Sequence, residues 1–430
     1  MPKPLSVLVL GGGSRGRTYS AYSLQYPGEM EVIGIADPKP DVRAYFASRY
    51  DLDSEHQFAD WRDALSKERM ADAVFICTLD DDHTEPALRA MELGYDILLE
   101  KPMAMRLHEN VRLVQKAEEM GRKMQIGHVL RYTPFWRTLR DVVQSGMIGE
   151  VVSLDHRENL HFTHMAHSFV RGNWRNTQVA APMILAKCCH DFDILLWILR
   201  DEVNYINSFG SLKYFTPENA PEGSTAHCTD GCAVADQCKY YAPNIYAHAG
   251  DDYRLNIISL TPTREARYEA LLTSPYNRCV YRCDNNVVDH QAVTMELKSG
   301  ATISMLMQGQ SEEECRTMRW DGTKATLTAR FATDRYQIQV KHHLTGRTEE
   351  IPVPIYDTSG HGGGDSGIVR SFLNYVRGNI DDTVTTARES LESHLLAFAA
   401  EDARLNRQTI YMPEYRSNAE ASAREFYSVS

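Results

Sequence analysis

The chain has 430 residues, 43% hydrophobic and 24% charged, with 46 Lys plus Arg against 58 Asp plus Glu and a formal net charge of -12. This is ordinary globular composition: it excludes a disordered chain and a disulfide-stapled miniprotein, and it leaves room for two or three packed units. The acidic balance argues against nucleic acid or an anionic membrane surface as partner, because both need a basic face that displaces counterions, so a small-molecule ligand is expected.

No apolar run approaches the roughly 18 residues of a membrane helix, the longest being Ile194 to Leu199. The apolar start from Leu5 to Leu10 runs straight into glycines, which reads as a first strand and not as a signal peptide. Nine cysteines are an odd number and too dilute for a secreted scaffold, which points to a reducing cytoplasm. In chain order, strands are expected at Ser6 to Leu10, Glu31 to Ala36, Ala73 to Thr78, Asp96 to Leu99 and Lys123 to Gly127. Helical spacing fills Val42 to Tyr50, Thr84 to Gly94 and His108 to Gly121, the alternation that builds a parallel sheet covered by helices. Beyond about residue 150, hairpin signals at Ser299-Gly300, Asp321-Gly322 and Thr345-Gly346 imply an antiparallel or mixed sheet. Helical patterns from Gly367 to Arg377 and from Thr386 to Arg407 close the chain, and 212 to 285 reads as an insertion rich in Cys, Pro, Asn and Tyr.

Gly11, Gly13 and Gly16 form a GxGxxG that follows a strand and opens a helix, the context of a dinucleotide site. Ser14 and Arg15 lie in the same turn. Asp37, at the end of the second strand, would accept from the adenosine ribose hydroxyls, which favours NAD, while Arg15 and Lys39 leave NADP open. The fold class is therefore α/β: a doubly wound parallel sheet of Rossmann type over residues 1–127, an α+β domain with a largely antiparallel sheet over 128–365, and helices over 366–430 that pack back on the body.

Glu100, Lys101 and Pro102 end the fourth expected strand at the sheet edge where open α/β folds bind ligands. Lys101 would point to the nicotinamide, whose charge would ease proton transfer. The helical stretch 187 to 197 places Lys187, His190 and Asp193 at intervals of three, so that Asp193 can orient the His190 imidazole for work as a base.

These motifs, in this order, resemble the Gfo/Idh/MocA family of glucose-fructose oxidoreductase and inositol dehydrogenase relatives. Further similar pieces are Asp80 to His83, Gly127 to Tyr132 and the loop His361 to Asp365. The resemblance implies two domains, NAD or NADP on the first, a sugar or cyclitol between them, catalytic roles for Lys101 and His190, and a homodimer or homotetramer. It also implies cofactor contacts by Thr78, His83, Glu100 and Lys101. One departure is Ala186, with Lys187 beside it, where many relatives carry an Asp four residues before the helix histidine. The leading expectation is an NAD-dependent dehydrogenase of a sugar, sugar derivative or cyclitol. Alternatives are a glycoside hydrolase or lyase that oxidises, eliminates and re-reduces with no net NADH, and a noncatalytic sugar and dinucleotide sensor.

Residues 155 to 175 correspond to the substrate loop of such proteins, and there Glu158, His164, His167 and Trp174 offer polar groups and an aromatic face for a carbohydrate. Lys187, Asp193 and His290 complete the expected substrate side. His361 and Asp365 can reach a polar ligand, although a helix cap by Asp365 is the simpler account. Cys228, Cys232 and Cys238, with Cys279 and Cys283 further on, raise a structural zinc; the proposed set is Cys228, Cys232, Cys238 and Cys283. An iron–sulfur cluster, buried free thiols, or disulfides in an exported chain are the competing readings.

Overall fold

A computed structural model describes residues 3–250, 253–332, 335–355 and 360–428. Strands β1 (Leu5–Leu10), β2 (Met30–Ala36), β3 (Gln57–Phe58), β4 (Ala73–Ile76), β5 (Asp96–Leu99) and β6 (Met124–Ile126) form one sheet in the order β3-β2-β1-β4-β5-β6. Every pairing in it is parallel. Helices cover both faces, so β1 and β4 are near-continuous apolar runs with Val7 to Leu10 and Ala73 to Ile76 wholly buried. The two-residue β3 escapes any sequence pattern, being shorter than one period of alternation.

The second sheet comprises β7 (Val151–His161), β8 (Val203–Ser211), β9 (His290–Leu297), β10 (Thr302–Ser311), β11 (Cys315–Gly322), β12 (Ala325–Ala332), β13 (Arg335–His342), β14 (Thr348–Glu350) and β15 (Ile410–Tyr411). Its order is β14-β13-β12-β11-β7-β10-β9-β8-β15. Only β7 with β10 is parallel; the other neighbours are antiparallel. Here burial alternates along each strand, as in β9, because one face packs on the core and the other does not. The architecture is thus α/β with a mixed, mostly antiparallel second sheet, as the hairpin signals require.

Helix Met183–Leu199 lies between the two sheets' layers and packs on helix Ala387–Asn406, which also meets helix Leu107–Glu119. The glycine turn after β1 sits where the chain leaves β1 toward β2 on one side and β4 on the other, the crevice in which open α/β sheets bind ligands. The insertion carries little regular structure beyond short helices such as Ala242–Tyr246 and Arg264–Leu272, and its own apolar cluster is small: Cys228, Ala242, Tyr246, Leu271 and Tyr276.

Candidate active site

The glycine turn is built as a dinucleotide cradle. Gly11 takes φ +88, and a Cβ on it would stand 2.5 Å from the Cys77 carbonyl oxygen. A Cβ on Gly16 would stand 2.1 Å from the Gly11 carbonyl oxygen, so helix and turn touch there, whereas nothing lies within 4 Å of a Cβ on Gly13. That open side is where a pyrophosphate can approach the backbone. The buried Asp37 closes the far end: Gly12 N donates to its Oδ2 at 2.8 Å and Lys39 N to its Oδ1 at 2.9 Å. Backbone shape and acid together fit a bound dinucleotide.

Arg15 is spoken for. Its Nε donates to Glu100 Oε1 at 3.0 Å and its Nη2 to Asp365 Oδ1 at 2.8 Å, and it lies over the Tyr19 ring. It therefore ties the glycine turn to β5 and to the loop at His361 instead of standing open for a 2′-phosphate. Tyr19 OH also donates to Glu100. Burial alone would raise the Glu100 carboxyl, but the Arg15 and Lys101 charges outweigh it and hold the group below the usual range. Asp365, read in the sequence as a helix cap, instead accepts from Arg15 and from His361 Nδ1 at 3.0 Å. His361, Gly362 and Gly363 all have positive φ, which folds this loop back on the glycine turn.

Thr78 lies just past β4, its hydroxyl donating to the Asp82 carbonyl at 2.6 Å. The His83 ring is buried between carbonyls, with Nδ1 2.8 Å from Pro102 O and Nε2 3.2 Å from Thr78 O, so it braces the turn that carries Lys101. Lys101 Nζ donates to Ala186 O at 3.1 Å, one helical turn before His190. The lysine and the histidine come from different sheets' layers, and the Lys101 charge acts on the His190 ring.

His190 is 8% exposed, and its Nδ1 is buried with no hydrogen-bond partner among the described residues. Burial first, then the charges of Lys101, His128 and Arg316, push its pKa well below the ordinary histidine value, so the imidazole stands neutral. Its ring meets the edge of His128, which meets His394 in the same way, each pair with centroids 5.5 Å apart. Burial lowers all three; His394 falls to about 3.

The expected link from Asp193 to His190 is absent. Both Asp193 oxygens accept from Arg131, at 2.8 Å from Nε and 2.6 Å from Nη2, and Arg131 also reaches Glu389. An i, i+3 spacing places two side chains on one face, but a guanidinium offering two parallel donors takes the carboxylate. The neighbour Asp191 is equally committed, to His156 Nε2 at 2.7 Å and Arg316 Nε at 2.7 Å.

Of the expected substrate residues, Glu158, Lys187 and His164 are brought together, but as one network with two residues the sequence reading missed. Lys187 Nζ lies 3.1 Å from Glu158 and 3.3 Å from Glu314, His164 Nδ1 lies 2.9 Å from Glu314, and Arg316 Nε lies 2.9 Å from Glu158. The signal for Glu314 and Arg316 was the charged run 312 to 316 at the start of β11, beside β7. Trp174 Nε1 donates to both oxygens of Asp80 at 3.0 Å, joining the loop after β7 to the loop after β4. His167 turns the other way, stacked on Tyr276 and 3.0 Å from the Tyr246 hydroxyl, within the insertion. His290, at the start of β9, is half-exposed and lies 2.8 Å from Asp289 Oδ1.

All nine cysteines are free thiols, and among the described residues no three His, Cys, Asp or Glu side chains are grouped so as to hold a metal ion. Of the zinc set expected from the sequence, Cys228, Cys232 and Cys238 line one cavity together with Cys279, while the Cys283 Sγ donates to the Cys279 carbonyl at 3.3 Å.

A Rossmann sheet with a glycine cradle, followed by a mixed sheet that delivers a histidine helix to its edge, defines an NAD-binding oxidoreductase. The chain belongs to the Gfo/Idh/MocA family: residues 5–128 match its oxidoreductase family, NAD-binding Rossmann fold, and 140–410 its C-terminal alpha/beta domain. It is 23% identical to YteT of Bacillus subtilis (strain 168) over 354 residues, which span 78% of this chain and 80% of YteT. It is 26% identical to an inositol 2-dehydrogenase of Corynebacterium glutamicum over 209 residues, 47% of this chain and 56% of that enzyme. In fold it is similar to the WlbA dehydrogenase of Chromobacterium violaceum, solved with NADH and UDP-GlcNAcA, at TM-score 0.67 and 15% identity, over 96% of each chain. No helix among the described residues is long and apolar enough to cross a membrane.

Proposed function

We propose that this protein uses NAD to move a hydride between the nicotinamide and a hydroxyl-bearing carbon of a sugar, sugar derivative or cyclitol. The observation that carries this reading is the meeting of Lys101 and His190 at the carboxyl edge of the first sheet, next to the glycine cradle. The names of the relatives, an inositol 2-dehydrogenase and a dehydrogenase solved with NADH and UDP-GlcNAcA among them, support the substrate class.

Bound NAD supplies the hydride acceptor. The neutral His190 takes the substrate hydroxyl proton at Nε2, since Nδ1 is sealed in the interior. The Lys101 ammonium holds the same oxygen and stabilises its developing negative charge. With the Asp before the helix histidine replaced by Ala186, the proton leaves His190 without help from a carboxylate at that position. The paired side chains of Glu158, Lys187, Glu314 and Arg316 form a polar wall for ring hydroxyls, and Trp174 offers an aromatic edge. Asp37, with Arg15 already paired, supports NAD over NADP.

The test is a panel of free sugars, cyclitols, sugar acids and aryl glycosides, followed by NADH absorbance and by aglycone release. Stoichiometric NADH from one free substrate is expected. Aglycone release without net NADH would overturn net oxidation in favour of transient oxidation and elimination.

A further inference from the structure

Four thiols from two separate stretches line one small cavity in the insertion: Cys228, Cys232 and Cys238 from the loop after β8, and Cys279 from the turn that leads to β9. Backbone pairing brings the stretches together before any sulfur is considered. His227 bridges Arg278 in antiparallel fashion, Cys228 N donates to Asn277 O at 2.8 Å, and Cys279 N donates to Ala226 O at 2.9 Å.

The same cavity is lined by one cationic side chain, Arg171. It is 0% exposed; its Nε donates to Arg278 O at 2.7 Å, and its Nη2 donates to Tyr240 O at 2.7 Å and to Cys228 Sγ at 3.5 Å. None of these acceptors is a carboxylate. Among the described residues Arg171 has no carboxylate partner, only these acceptors and the Tyr246 side chain, and a buried guanidinium without a counter-ion is costly, so a negative charge among the four thiols would stabilise it.

We propose that Cys228, Cys232, Cys238 and Cys279 bind one thiophilic divalent metal ion of the zinc type. Each thiol gives its proton to solvent; four thiolates and one dication sum to two negative charges, and Arg171 offsets one of them. The spacing C-x3-C-x5-C, with the fourth ligand from a distant turn, suits a closed tetrahedral site, and Cys279 takes the place that the sequence reading assigned to Cys283. The thiols surround the cavity without yet converging on one point, so binding draws them inward by rotation of the cysteine side chains. The insertion gains most from such a staple, since its separate apolar cluster has only five buried members. Arg171 also ends the turn Met165–Arg171 that carries His167, so the metal would brace the far side of the candidate substrate loop.

The full chain, expressed in zinc-supplemented medium without a metal-binding tag, is assayed by elemental analysis and then reconstituted anaerobically with Co(II). About one metal ion per chain and a thiolate-to-cobalt charge-transfer band are expected. Cys228→Ser and Cys279→Ser should abolish both signals, while Cys283→Ser and Cys315→Ser should leave both unchanged. If the first two variants fail to fold, the wild type decides: N-ethylmaleimide labelling mapped by mass spectrometry should find Cys228, Cys232, Cys238 and Cys279 protected by metal and released by chelator. Absence of metal after reconstitution, disulfides among these cysteines, a protected set that includes Cys283, or iron with acid-labile sulfide would each overturn the proposal.

Discussion

The glycine cradle and the histidine helix face the same ligand space but are made in different ways. The cradle is backbone: Gly11, Gly13 and Gly16 matter through the atoms they lack, and their neighbours are a few residues away or on the adjoining strand. The helix site is side chain: Lys101, Lys187 and Asp193 each have polar partners on elements tens of residues distant or more, and His190 meets the ring of His128 from the turn after β6. A backbone cradle fails by steric exclusion. A side-chain site fails by loss of one donor or acceptor while the fold persists.

The largest expected effect follows from that contrast. His190→Asn should lower kcat by about 10²- to 10⁴-fold, the usual contribution of a general base, with NAD affinity unchanged in a fluorescence titration. Equal losses in turnover and NAD binding would mean that His190 supports the cradle and not the chemistry. Lys101→Gln should also lower kcat, and it should move the acid limb of kcat/KM upward, because the Lys101 charge is one cause of the depressed His190 pKa.

Asp193→Asn separates orientation from architecture. Removing one partner of the buried Arg131 pair should cost about 3–5 kcal/mol of stability, read as a lower Tm. Below that Tm the pH profile of kcat should match the wild type. A shifted limb would restore the orienting role that the helix spacing suggested.

How legible these regions were in the sequence follows the same division. The long strands of the first sheet, the hairpins at Gly300 and Gly346, and the glycine turn were readable because each depends on residues adjacent in the chain, whereas the Asp321-Gly322 signal falls inside β11 and the turn lies at 323–324. The Met183–Leu199 helix was readable as well, yet its partners were not: nothing local to Asp193 reports that Arg131 will arrive from the turn after β6. The same holds for Glu314 and Arg316, which only the β7–β11 pairing brings to Glu158 and Lys187. Spacing identifies a face; the competition for a carboxylate on that face is settled by charges that the topology supplies.

Within the cradle, two glycines should behave differently. Gly16→Ala places a methyl group 2.1 Å from the Gly11 carbonyl, so helix and turn must separate, at a cost of about 1–3 kcal/mol and with loss of NAD binding. Gly13→Ala meets nothing within 4 Å and should keep its Tm while weakening NAD, because the methyl group occupies the side a pyrophosphate approaches. Equal melting losses in both variants would remove the distinction between packing and ligand access.

The smallest effect concerns protons. His128, His190 and His394 are buried in edge-to-face sequence, and burial lowers the pKa of each, to about 3 for His394. In the unfolded chain these rings titrate near 6.5, so between the folded and unfolded values the unfolded state holds more protons. Stability from the neutral rings is therefore complete above the unfolded pKa and declines as pH falls from about 6.5 toward the folded values, by at most about 1.4 kcal/mol per pH unit for each histidine. Denaturant unfolding from pH 7 to pH 5 should show that decline. His394→Asn should make it shallower by about one proton, although the variant is less stable at pH 7 through loss of the bond that His394 Nε2 accepts from Met103 N. An unchanged slope would mean that carboxylates, not this histidine row, carry the acid sensitivity of the helix side.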